Sequence, residues 1–93
     1  MNLASHPRLP LAFLPTPLEA LTRLSATLDG PTLWVKRDDM TGLALGGNKA
    51  RKLEYLLGAA KAEGATVVMT TAGAASNYLR MTAAAARKAG MRP

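Results

Sequence analysis

The residue best suited to chemistry is Lys49, which follows a pair of glycines in the segment GGNKARKLEYL. The segment predicts that Lys49 lies in the first turn of a helix, at the positive end of the helix dipole. That position and the neighbouring charges of Arg51 and Lys52 disfavour the ammonium form, which favours the neutral amine of Schiff-base chemistry. Gly46 and Gly47 let a ring or a phosphate approach the backbone. A solvated basic face is the alternative that the spacing alone leaves open.

A second candidate site lies in the segment AGAASNYLR, where Ser76 and Asn77 begin a predicted helix directly after a predicted strand. A helix N-terminus at the carboxyl end of a parallel strand is suited to binding an anion. Simple capping of the helix by Ser76 explains the same pattern. Because both candidate loops follow strands of one predicted sheet, we expect Lys49, Ser76 and Asn77 to converge on one cleft.

Other polar residues offer less chemistry. Asp38 and Asp39 form a carboxylate pair, but their neighbours Lys36 and Arg37 favour a salt-bridged turn over acid/base catalysis. The one histidine, His6, lies in a proline-rich segment and is expected to be solvated. The chain has no cysteine, so it offers neither a disulfide framework nor a thiolate metal site, and we expect no bound metal.

The elements that must position these residues alternate between strand and helix. We predict the strands Leu33–Lys36 and Thr66–Thr71 and the helices Asn48–Glu63 and Ser76–Ala89. This order predicts an α/β fold in which helices flank a partial parallel sheet, with a third strand beginning after Met91. The run ATVVMTT is nearly all apolar and is therefore expected to form a central strand.

The first predicted helix has one apolar stripe and clear ends. Its stripe consists of Leu53, Leu56, Leu57 and Ala60. Asn48 is the expected N-cap, and Gly64 is the expected stop. In the second predicted helix an alanine-rich face allows close packing on a sheet, and Gly90 marks the end.

Two regions are expected along the chain. Residues 1–31 hold five of the six prolines and predict an extended arm with a short helix at Leu18–Leu28, whereas residues 32–93 predict a partial α/β domain. At 93 residues the chain is short for an enzyme whose cleft needs walls from several segments. We therefore expect a segment of a larger fold, and no turnover by the chain alone.

Composition limits the remaining function classes. The formal net charge of +6 allows a small module that binds anions or nucleic acid. Its basic residues are scattered with little aromatic interleaving, which disfavours nucleic acid as a partner. No stretch is apolar enough to span a membrane, and the first residues lack the pattern of a signal peptide. A cytoplasmic protein without a membrane partner is expected.

Three segments together resemble one known family. They are PRLPLAFLPTPLEAL, LWVKRDDMTGLALGGNKARKLEYLL and TTAGAASNYLRMTAAAARKAGM, which cover nearly the whole chain from Pro7. They look like the opening of the D-cysteine desulfhydrase and 1-aminocyclopropane-1-carboxylate (ACC) deaminase family, which includes members similar to L-cysteate sulfo-lyase. The resemblance implies an incomplete tryptophan-synthase β-like fold, pyridoxal 5'-phosphate as cofactor, a small amino acid as substrate and a homodimer at full length.

The resemblance also assigns roles to residues of this chain. It implies that Lys49 holds the cofactor as a Schiff base and later moves the α-proton, with the cofactor ring as electron sink. Asn77 matches the residue that hydrogen-bonds the ring hydroxyl, and Ser76 matches the serine that meets the substrate carboxylate. Asn48 and Lys52 match further cofactor-binding positions. The expected reaction is α,β-elimination from a thiol or sulfonate amino acid such as D-cysteine or L-cysteate, or ring-opening deamination. Elimination from D-cysteine gives pyruvate and ammonia and releases the sulfur as sulfide.

The chain departs from the family at three positions. Ala75 and Tyr78 flank Ser-Asn where the family reads Gln-Ser-Asn-His or Gln-Ser-Asn-Gln, and Met81 replaces a common Gln. These changes affect the expected choice of substrate more than attachment of the cofactor. A non-catalytic truncated fragment or pseudoenzyme of the same family is the main alternative.

Overall fold

The computed structural model describes residues 1–93. Its regular elements, in chain order, are strand β1 (Leu18–Ala20), helix α1 (Thr22–Leu28), strand β2 (Trp34–Lys36), helix α2 (Lys49–Ala62) and helix α3 (Asn77–Ala89). Short 3-10 turns occupy Leu3–Ser5, Asp38–Met40 and Leu43–Leu45. None of the helices combines the length and the apolar character that crossing a membrane requires.

The two long helices lie within a residue of the predicted bounds, and both end at the predicted glycines. The N–H of Gly64 donates to the carbonyl of Lys61, and the N–H of Ala65 donates to that of Ala60. The same pair of bonds closes α3 after Gly90. This pair of hydrogen bonds satisfies carbonyls that the helix itself leaves free, so each helix stops where the sequence predicts.

The predicted parallel sheet is not confirmed. β2 pairs with β1 in an antiparallel register that sets Glu19 opposite Val35. The prediction placed Leu18–Leu28 in one helix, but the helix covers only Thr22–Leu28 because the preceding residues pair with β2. A nearby partner strand therefore outweighed the local helical pattern.

The predicted central strand at Thr66–Thr71 is also wrong. Its pairing is limited to one parallel bridge, between Val67 and Arg92. There the Val68 N–H donates to the Arg92 carbonyl and the Arg92 N–H donates to the Thr66 carbonyl. The run itself is mostly exposed, and Met69 is 91% exposed. A strand needs a neighbour along its length, and β2 pairs with β1 instead of with this run.

The core lies between α2, α3 and the loop that precedes α2. Ten buried apolar residues form it: Leu11, Leu43, Ala50, Leu53, Leu57, Met81, Ala85, Ala86, Ala89 and Met91. The predicted stripe of α2 needs one correction, because Leu56 is 53% exposed whereas Leu53 is 1% exposed. The buried face of α2 is rotated away from Leu56 toward Glu54 and Gly58, since the N-terminal arm packs on that side.

A buried glutamate fastens the arm to α2. The Glu54 carboxylate accepts from Arg8 Nε at 2.6 Å and from the N–H groups of Leu11 and Ala12 at 2.9 and 3.0 Å. Next to it, a side chain at Gly58 would lie only 2.5 Å from the carbonyl oxygen of Pro7. The arm therefore lies directly against the α2 backbone, and only glycine leaves it room.

Candidate active site

The loop before α2 is held from inside by a threonine. Thr41 is fully buried, and its hydroxyl donates to the Gly47 carbonyl at 2.7 Å while accepting from the Gly47 N–H at 3.0 Å. Between them, Ala44 and Leu45 adopt positive φ angles of 46° and 72°. Such angles are costly for residues with a side chain, and they persist where surrounding contacts impose them.

Gly47 brings the loop into contact with the start of α3. Its φ is +141°, and a side chain there would lie 2.6 Å from Asn77 Nδ2 and 2.8 Å from Met81 Sδ. Any other residue would therefore push α3 away from the loop. The two segments that the sequence singled out, GGNK and SN, meet at this point.

Lys49 is the first residue of α2 and is partly buried. Its Nζ donates to the side-chain oxygen of Asn48 at 3.2 Å. Asn48 lies at the N-cap position of α2 as predicted, but it has helical dihedral angles and its side chain makes no capping bond to the helix N–H groups. The Asn48 side chain instead accepts the hydrogen bond from the Lys49 amine, next to the loop that precedes α2.

Ser76 and Asn77 begin α3 as predicted. Ser76 has extended dihedral angles, and its hydroxyl accepts from the Tyr78 N–H at 3.2 Å, which makes it the N-cap. As an acceptor in this bond, the hydroxyl keeps its own proton available for another partner. The Asn77 side chain faces Gly47, two residues before Lys49 in the chain.

Two further contacts join the beginnings of the two helices. Lys52 Nζ lies 4.1 Å from the centre of the Tyr78 ring, a favourable cation–π distance. Arg80 Nη2 donates to the Gly46 carbonyl at 3.4 Å. Positive side chains thus gather near two helix N-termini, which together favour an anion. The convergence of Lys49, Ser76 and Asn77 on a single ligand stays a prediction.

The carboxylate pair is engaged in ion pairs. Asp38 accepts from Arg51 at 2.6 and 2.9 Å and from the Thr16 hydroxyl at 2.8 Å. The bond with Arg51, followed by that with Thr16, lowers the pKa of Asp38 to about 2. Asp39 pairs with Arg37, and that bond lowers its pKa too. Both carboxylates are therefore charged at neutral pH and hold the turn before the loop, as the salt-bridge alternative predicts.

Sequence reasoning missed Thr41 and Arg80. Thr41 bonds a residue six positions later through a loop whose shape no periodicity describes. Arg80 reaches Gly46 across 34 residues of chain. The one available signal was their position, since Thr41 directly precedes the glycine-rich loop and Arg80 lies one helical turn after Asn77. His6 is exposed, as expected.

Comparison with known proteins gives consistent matches along the whole chain. The chain is 51% identical over 94 residues to an ACC deaminase of Burkholderia vietnamiensis, and the match covers 99% of this chain and 28% of that protein. It is 52% identical over 90 residues to a D-cysteine desulfhydrase of Klebsiella pneumoniae, covering 97% of this chain and 27% of the relative. The crystal structure of an ACC deaminase homologue matches with a TM-score of 0.89 and 46% identity, over 96% of this chain and 27% of that one.

These matches confirm the resemblance that the motifs suggest, and they show the fold of the ACC deaminase homologue. The chain spans about 28% of the length of the curated relatives. The family of pyridoxal-phosphate dependent enzymes matches residues 9–93, which include both loops of the candidate site. The chain therefore belongs to the family of pyridoxal-phosphate dependent enzymes.

Proposed function

We propose that this chain is the segment of a pyridoxal-phosphate dependent lyase or deaminase that carries the cofactor lysine, Lys49, and acts on a small amino acid. The observation that carries the proposal is the contact of Gly47 with Asn77. It joins the lysine-bearing helix to the Ser76–Asn77 turn, so residues suited to the cofactor and to the substrate share one edge of the molecule.

The residues at this edge fit the cofactor. The accessible amine of Lys49 suits an aldehyde, and the amide of Asn77 suits a ring hydroxyl. Lys52 and Arg80 beside two helix N-termini suit the negative charge of a phosphate. When bound, pyridoxal phosphate supplies a ring that withdraws electrons from the α-carbon of an amino acid.

Each side chain then has a distinct task. Lys49 supplies the amine that holds the cofactor and moves the proton of the substrate α-carbon, with Asn48 orienting its Nζ. Ser76 already accepts a backbone bond, so its hydroxyl proton is available to a substrate carboxylate. Asn77 donates to or accepts from the cofactor ring hydroxyl. This division of tasks requires the two helix ends to keep their spacing.

The choice between the two reactions depends on the neighbours of these residues. The ACC deaminase and the D-cysteine desulfhydrase are 51% and 52% identical to this chain, so overall identity favours neither. Tyr78 stacks under Lys52, and Met81 is buried against Gly47. Two of the departures from the family sequence, Tyr78 and Met81, thus lie next to the residues proposed to bind the cofactor and the substrate. The homodimer that the resemblance implies and the cytoplasmic location that the sequence pattern predicts stay predictions.

A hybrid enzyme tests the proposal. In it, residues 1–93 replace the matching segment of the Burkholderia vietnamiensis ACC deaminase. We expect release of 2-oxobutyrate from ACC or of pyruvate from D-cysteine. Lys49→Ala should lower kcat by about 10²–10⁴-fold or more, because no other side chain replaces the amine that moves the proton. The two product assays identify which substrate the segment supports.

Lys61→Ala is the matched control, because Lys61 is an exposed lysine in the last turn of the same helix. It should leave kcat unchanged. A folded hybrid with equal activity in the Lys49→Ala and Lys61→Ala variants would contradict the proposal.

A further inference from the structure

Thr41 is the one side chain that bonds both polar groups of Gly47. Its hydroxyl donates to the carbonyl at 2.7 Å and accepts from the N–H at 3.0 Å. Thr41 is fully buried, so water does not compete for these bonds. Its own carbonyl accepts from the N–H of Phe13 at 3.0 Å, which ties the same residue to the N-terminal arm.

Gly47 has little other support. The turn bond from the Ala50 N–H to the Gly47 carbonyl is long, at 3.4 Å. On its opposite side Gly47 touches Asn77 and Met81. A buried peptide without partners is costly, so loss of the Thr41 hydroxyl would force Gly47 to move toward water or to another partner. Movement of Gly47 changes the spacing between Lys49 and Asn77.

We propose that Thr41 is a positioning residue: by holding both polar groups of Gly47, its hydroxyl sets the spacing between Lys49 on α2 and Asn77 on α3. The inference rests on the proposed function for its catalytic consequence. Its structural part, the restraint of Gly47, stands on the two hydrogen bonds alone. Thr41 acts through the backbone and needs no contact with cofactor or substrate.

Two substitutions at this position separate the hydroxyl from the bulk of the side chain. Thr41→Val keeps the shape but removes both bonds, whereas Thr41→Ser keeps the hydroxyl and loses one methyl group. Thr82 supplies a matched control, because it is 4% exposed in the same interior but its hydroxyl has no hydrogen-bond partner. Thr82→Val should therefore leave the backbone unchanged.

The first readout is hydrogen exchange of the Gly47 amide in the chain, followed by NMR. We expect exchange about tenfold or more faster in Thr41→Val, with a rate close to the original in Thr41→Ser and Thr82→Val. The Leu57 amide, in the buried part of α2, reports global unfolding. If Thr41→Val unfolds the whole chain, Thr41→Ser decides: slow exchange at Gly47 supports the proposal, and fast exchange overturns it.

The second readout is the kinetics of the hybrid enzyme. Misplacing the lysine relative to its partners should lower kcat by about 100-fold in Thr41→Val while KM changes little, and Thr41→Ser should restore kcat. Unchanged Gly47 exchange and unchanged kcat in a folded Thr41→Val would overturn the inference. If the hybrid with Thr41 intact fails to bind pyridoxal phosphate, the proposed function fails, and Gly47 exchange alone decides the role of Thr41.

Discussion

The two sides of helix α2 differ in how far the rest of the chain covers them. On one side the N-terminal arm and α3 cover Leu53, Leu57 and Glu54. Toward Leu56, the helix and residues 67–70 border an open groove of about 270 Å³ that Leu53 and Leu57 also line. The loop before α2 contacts the start of α3 through Gly47 and Asn77. The difference shows that the candidate site is built from contacts internal to this chain, whereas the run 65–71 lacks the strand neighbours that its composition favours.

A pair of leucines on α2 gives the largest expected contrast in stability. Leu53→Ala should lower the free energy of unfolding by about 2–5 kcal/mol, because it leaves a cavity in the core. Leu56→Ala should cost less than about 1 kcal/mol, since Leu56 is about half exposed and its removal leaves no enclosed cavity. Chemical denaturation of both variants measures the difference. Equal losses would show that the groove side is covered in solution.

The buried glutamate should give the next largest effect. Glu54→Gln removes the charge that accepts from Arg8 and from the N–H groups of Leu11 and Ala12. We expect a loss of about 1–3 kcal/mol in the free energy of unfolding. Glu63→Gln, at the exposed end of the same helix, is the control and should change it by less than about 0.5 kcal/mol. Identical unfolding midpoints for the two variants would contradict the role of Glu54 in fastening the N-terminal arm to α2.

The same glutamate predicts how stability depends on pH. Burial raises the pKa of Glu54, but the bonds from Ala12, Leu11 and Arg8 together hold it below its usual value of 4.5. The charged form is thus favoured by folding, and its contribution is complete above pH 4.5 and is lost as the pH falls through the lower, folded-state pKa. The stability gap between the original chain and Glu54→Gln should shrink below that pH. If the stability difference between the two proteins grew on acidification, the folded-state pKa of Glu54 would be raised instead of lowered.

The open run should give the smallest effect. Met69→Ser should change the free energy of unfolding by less than about 0.5 kcal/mol, because the Met69 side chain is almost fully exposed. Thermal unfolding of the chain at low concentration is the measurement. A loss above about 1 kcal/mol would show that this run packs in solution and would remove the contrast between the two sides of α2.

The parts of the fold that depend on neighbours in the sequence were predictable. The bounds of α2 and α3 follow from apolar spacing and from glycines that close each helix, and Ser76 caps α3 as one of its two interpretations requires. The segments that could form the site were also identifiable, because glycine pairs and helix starts carry a local signal.

The parts that depend on distant partners were not predictable. The run 66–71 has the composition of a buried strand, yet strand formation requires a paired neighbour, which its composition cannot supply. β1 pairs with β2 because the chain reverses between them through α1. The bonds of Thr41 depend on the loop folding back over six residues, a geometry that residue types alone do not describe.

The central claim is that Lys49 holds the cofactor, and locating the site of attachment tests it most directly. The hybrid enzyme is mixed with pyridoxal phosphate, reduced with borohydride to make the attachment permanent, and digested for mass spectrometry. We expect the label on Lys49, with little on Lys52 or Lys61, because Lys49 is the lysine beside the loop that contacts Asn77. Label spread evenly over these lysines, or absent from Lys49 in a folded hybrid, would contradict the account.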